Sequence, residues 1–128
     1  MRSAPHRRLA TAIWRMRAEP TGSRKHAGRA RLLRARALLA ADAPLADVQA
    51  PLEQAQALAR SSGHPPLLWS SAQELACLHA RLGHEGEAAA CRAEARATVE
   101  AVASSIGDPA LKRSFLRAET VQRALAGA

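Results

Sequence analysis

The chain is expected to fold as an all-α protein, on three observations. Ala, Leu, Arg, Glu and Gln, the strong helix formers, dominate its 128 residues. β-branched residues are few, and no stretch alternates apolar and polar at period two, the mark of a half-buried strand. Aromatics are scarce: Trp14, Trp69 and Phe115 are all there are, so burial has to come from leucine and from close helix contacts through alanine. A chain of this length forms one domain at most, large enough to bury a core.

The elements follow in order. His6 to Arg17 is expected to form a basic amphipathic helix, with Leu9, Ile13 and Met16 on one face and Arg7, Arg8, Arg15 and Arg17 around them. Glu19-Pro20-Thr21-Gly22-Ser23 ends it. From about Gly28 to Ala41, Leu32, Leu33, Leu38 and Leu39 recur among arginines and predict a second helix. Asp42-Ala43-Pro44 stops that helix and starts a third, which runs to Ser62; Pro51 must lie in its first turn or kink it. Ser62-Gly63-His64-Pro65-Pro66 is the clearest punctuation, with proline suited to a first helical turn. A fourth helix spans about Pro66 to Leu82 and a fifth about Glu85 to Ser104. Asp108-Pro109 caps a short terminal helix carrying Leu111, Phe115 and Leu116, and Val121 and Leu125 close the chain with a further turn or two.

One stretch carries more information than the rest: Leu75-Ala76-x-x-His79-x-x-x-Gly83-x-x-x-Glu87-Ala88, with Ala95 a heptad beyond Ala88. Ala76 and Ala88 are small enough for two helices to cross at roughly 8 to 10 Å. Gly83 is placed to take the left-handed conformation that closes a helix. Ala95 shares the face of Ala88, where a following helix can meet it. These spacings resemble a tetratricopeptide (TPR) hairpin, with His79 and Arg92 standing where that repeat usually has aromatics. Together with Gly63-x-Pro65-Pro66-Leu67-Leu68-Trp69 and Asp108-Pro109-x-Leu111-x-x-x-Phe115-Leu116, they resemble the C-terminal repeat region of large bacterial ATPase-linked signalling regulators and cyclases. The resemblance implies antiparallel helical hairpins in a short solenoid with a C-terminal capping helix. It covers Gly63 to Leu125, about half the chain; the chain as a whole is expected to divide into a basic segment, residues 1–27, and a TPR-like helical repeat domain, residues 28–128.

Charge is unevenly spread. Arginine outnumbers lysine seventeen to two, a bias that a GC-rich coding sequence also produces. Residues 1 to 36 hold ten arginines and Lys25 against the single acid Glu19, whereas the remainder is weakly acidic in sum. The formal net charge of +8 therefore belongs to the N-terminal quarter, which is suited to polyanion contact. Cys77 and Cys91 lie within helices rather than in a loop-rich framework, which argues for a reducing compartment. Apolar runs fall short of the roughly 20 residues that span a bilayer. A cytoplasmic protein without a membrane span is expected.

No constellation points to catalysis. Lys25 is followed by His26 and Lys112 by Arg113, so neither completes a phosphate-binding loop. His84-Glu85 starts like a zinc-protease motif, but the second histidine would fall at Ala88. Cys77 and His79 are two apart on a helix and point to different sides, so Cys77, His79, His84 and Cys91 do not read as a zinc set. No metal or cofactor is expected, and Trp69 is expected in the core. The predicted function is a noncatalytic scaffold module that holds a protein partner, a paralogue or remnant of a larger signalling regulator. The TPR resemblance points to Gln73, Cys77 and Arg81, with Arg31 and Arg34 from the preceding hairpin, as partner-binding residues. The alternative is a small basic nucleic-acid-binding protein using residues 1–36. The sequence leaves partner identity and self-association open.

Overall fold

The computed structural model describes residues 21–126. The amphipathic helix expected over His6–Arg17, and Trp14 with it, lie outside the described residues. Six helices occur among the described residues: α1 (Thr21–Ala40), α2 (Leu45–Ser62), α3 (Pro65–Arg81), α4 (Glu85–Ser105), α5 (Pro109–Arg117) and α6 (Glu119–Ala126). There is no strand among them. None is long and apolar enough to cross a membrane.

α1 and α2 pack along their length, as do α3 and α4, and α2 packs on α3. Each pair is antiparallel. The Arg24 guanidinium donates to the Ser61 carbonyl at one end of the α1–α2 pair, and Arg31 donates to the Gln54 side chain midway. Left-handed residues close the helices. Asp42 turns α1 into α2 at φ 57°, and Gly83 turns α3 into α4 at φ 79°; aspartate tolerates that region better than most side chains, and glycine at no steric cost. The two turns lie further apart in sequence than the roughly 34 residues of a TPR repeat, because the helices here are longer. At the far end Asp108 caps α5 by accepting from the Ala110 and Leu111 amides at 2.8 and 3.2 Å.

α3 is the central element because it is buried on two faces. Leu67, Leu75 and Leu78 join Leu32 and Ala35 of α1 and Val48, Leu52, Ala55 and Ala59 of α2 in one cluster. Trp69 and Ala72 join Ala95 and Val99 of α4 and Val121 and Ala124 of α6 in a second. α5 seals that second cluster with Phe115, whose ring meets the Trp69 indole edge-on at 5.7 Å and 75°. Two ion pairs tie corresponding helices together. Arg36 of α1 grips Glu74 of α3 in a bidentate contact with a shortest distance of 2.7 Å. Arg60 of α2 grips Glu94 of α4 in the same way, and Gln56 donates to the same carboxylate at 2.7 Å. Arg36 and Arg60 are both well exposed, so each pair contributes about 1 kcal/mol at most; their geometry fixes register more than stability.

Two details differ from the sequence reading. The helix expected from about Gly28 already includes Thr21, the first described residue, and Gly28 lies buried inside it. Pro51 sits neither in the first turn nor at a break but inside α2, where it is buried. There it removes the amide that would reach back to the Asp47 carbonyl. Ala76 and Ala88, expected at the crossing of α3 and α4, both have zero exposure. Ala88→Leu should therefore overpack that interface and lower stability by about 1–3 kcal/mol. Chemical denaturation of the variant and its parent measures this, and a change within about 0.5 kcal/mol, the range of surface substitutions, would remove Ala88 from the interface.

Candidate binding groove

On one side of the molecule α1, α3 and α6 lie next to one another and leave an open groove. Its widest part, about 340 Å³, is lined by Arg36 from α1, by Trp69, Ser70, Gln73 and Glu74 from α3, and by Thr120 and Arg123 from α6. Toward the start of α1 it continues into a second hollow of about 240 Å³ that shares Arg36, Ser70 and Thr120 and adds Arg29 and Leu33. Toward the end of α3 it narrows to a cleft of about 70 Å³ between Leu39 and the side chains of Cys77, Leu78 and Arg81.

The periodicity of the helices explains this lining. Ser70, Gln73, Cys77 and Arg81 recur at three- and four-residue steps along one face of α3. Arg29, Leu33 and Arg36 do the same on α1. Leu33 is 55% exposed, an apolar side chain held open between two arginines.

Gln73, Cys77 and Arg81 are thus brought together along the groove. Arg31 and Arg34 are not. Arg31 faces α2 and holds Gln54 at 2.8 Å. Arg34 borders a separate hollow of about 450 Å³ between α1 and α2, beside Asp47 and Pro51. Arg29, Arg36, Thr120 and Arg123 were missed by sequence reasoning. The arginines of α1 occur on several sides of the helix, so no periodicity singles out the face that α3 meets. α6 reaches the groove only through the fold.

Two polar atoms in this region lack a partner among the described residues. The Trp69 indole nitrogen and the Gln73 side-chain oxygen are buried and make no hydrogen bond to any of them. An unmet buried donor or acceptor costs about 1–3 kcal/mol, and native proteins keep few of them. The charged rim is largely engaged: Arg36 holds Glu74, and Arg123 holds Glu119 at 2.5 Å.

The thiols differ in character. Cys77 is exposed and Cys91 partly covered. Burial pushes the Cys91 thiol pKa up, and the nearby Glu94 carboxylate adds to that, which disfavours its thiolate form. At the other end of the molecule, desolvation and the positive charges of Lys25 and Arg29 hold the His64 imidazole below its ordinary pKa. Comparison of the chain with protein-family models, curated proteins and solved structures finds no match.

Proposed function

We propose that the protein is a noncatalytic, TPR-like helical scaffold module that holds an extended segment of a protein partner along the α1–α3–α6 groove. The observation that carries this reading is the buried pair of unpartnered atoms among the lining residues, the Trp69 N–H and the Gln73 oxygen. A peptide backbone offers one carbonyl and one N–H per residue, the complements of that donor and that acceptor. Supplying both would recover the cost of leaving them unmet. The order of the helices supports the same reading, because the first helix of each hairpin lines the groove and α6 extends that row. Leu33 provides an apolar contact and Arg29 a positive charge beside it, a combination suited to a segment that mixes acidic and apolar side chains.

A displayed library of random extended peptides tests this. The full chain should enrich acidic-apolar sequences, and Thr120→Trp, an exposed position on the groove wall, should lower affinity for them by at least about tenfold, or 1.4 kcal/mol. Selected peptides that bind the Thr120→Trp variant as well as the parent would end the groove reading.

A further inference from the structure

We infer that the turn between α3 and α4 is a binding site for a zinc-class divalent ion, with His79, His84 and Glu87 as its protein ligands. Each of the three residues has a ligand atom within 4.8 Å of the others. The two imidazoles present the same nitrogen to each other, with Nδ1 to Nδ1 at 3.2 Å and ring planes inclined at 41°. Two nitrogens bound to zinc at 2.0–2.1 Å in tetrahedral geometry lie about 3.3 Å apart, so the histidine pair already has the spacing of two corners of a coordination tetrahedron.

The fold holds the pair in place. His79 is 7% exposed, in the last turn of α3 on the side that faces α4. Gly83 at φ 79° reverses the chain, and the His84 amide donates back to the His79 carbonyl at 2.8 Å. His84 stands at the N-cap position of α4, yet its side chain makes no capping hydrogen bond; the ring is turned to His79 instead. Glu87 lies in the first turn of α4, exposed and free to swing toward the two nitrogens.

A carboxylate in a first turn is also favoured by the helix dipole, and two neutral imidazoles can share one N–H···N hydrogen bond. Neither explanation requires two histidines and a glutamate to converge from three different parts of one turn. The set of two imidazoles and a carboxylate suits zinc, cobalt or nickel rather than calcium or magnesium. Three protein ligands leave a fourth position for water. Bound there, the ion would pin the end of α3 to the start of α4. Helical spacing alone does not reveal this set, because His79 and His84 lie on different elements and meet only through the turn.

The test titrates the full chain with Zn²⁺ by calorimetry and with Co²⁺ by visible absorption, in the parent, in His84→Ala, in Glu87→Gln and in Cys77→Ser/Cys91→Ser. His84 and Glu87 are exposed, and circular dichroism without metal checks that those variants fold. One equivalent should bind in the parent and in the double cysteine variant, shifting the ring resonances of both His79 and His84. His84→Ala should weaken binding by at least about 100-fold, since even outer-shell changes at metal sites cost 10–100-fold, and Glu87→Gln by at least about tenfold. Zn²⁺ should raise the melting temperature of the parent but not of His84→Ala. Three outcomes overturn the site: no binding in the parent at 100 µM Zn²⁺, equal affinity in parent and His84→Ala, or loss of binding in the double cysteine variant.

Discussion

Trp69→Ala is expected to destabilise the protein by about 3–5 kcal/mol, the cost of truncating a large aromatic in a core. Trp69 is 6% exposed and is the largest side chain in a cluster whose other buried members are Ala72, Ala95, Val99, Val121 and Ala124, with Phe115, Leu116 and Leu125 packed against it. The buried members are small and cannot swell to fill the void. The edge-on contact with Phe115 adds about 0.5–1.5 kcal/mol beyond burial, and it anchors α5. α6 would lose its contact with α3 and keep its packing of Val121 and Ala124 on Ala95 and Val99 of α4, with the hydrogen bond from Arg96 to the Leu125 carbonyl at 2.7 Å. Amide exchange in α5 and α6 should therefore accelerate more than in α1 and α2. Trp69→Phe separates packing from polarity. It keeps most of the apolar volume and removes the unpartnered indole N–H, so its stability cost should stay below about 1.5 kcal/mol while peptide affinity at the groove falls. A loss of under 1 kcal/mol in Trp69→Ala would show that the indole is not the centre of this cluster.

The part of the fold most legible in the sequence is the α3–α4 hairpin, for a local physical reason. Gly83, Ala76 and Ala88 each satisfy a requirement set within one turn of helix or one helix crossing, and residue type at fixed spacing reports such requirements. The start of α1 was less legible. Thr21 and Gly22 read as breakers, yet both already lie in the helix, and Gly28 reads as a boundary although its use is to let helices approach inside a continuous one. Pro51 shows the same limit, since burial against neighbouring helices overrides a local penalty of about 3 kcal/mol.

The groove divides along similar lines. Gln73, Cys77 and Arg81 could be placed together because they share one face of one helix whose buried faces are marked by leucines and Trp69. On α1, Arg24, Arg29, Arg31, Arg34 and Arg36 surround the helix, and only tertiary contacts distinguish Arg36, which reaches Glu74, from Arg31, which reaches Gln54. Where a residue's role depends on a partner far away in the chain, periodicity is silent.

Gly28→Leu should test the largest of these long-range contacts, with an expected loss of about 3 kcal/mol, the upper end of the usual range for overpacking. A Cβ at position 28 would stand 2.5 Å from Leu67 Cδ2, 3.2 Å from Leu58 Cβ and 3.5 Å from the Ala55 carbonyl oxygen. Gly28→Ala should be nearly neutral. Helix propensity favours alanine over glycine by about 1 kcal/mol, and the closest obstacle is the tip of a leucine side chain that can rotate away, so gain and strain oppose each other. Leucine adds three more carbons against the Leu58 stem and the α2 backbone, which cannot move without shifting α1. Because Arg29, Leu33 and Arg36 follow on the same helix, that shift should also open the α1–α3 side of the groove and weaken the Arg36–Glu74 contact. Denaturation midpoints for the parent, Gly28→Ala and Gly28→Leu give the comparison. If Gly28→Leu falls within about 0.5 kcal/mol of the parent, as a surface substitution would, α1 does not pack against Leu58 and Leu67, and the α1 wall of the groove is lost with it.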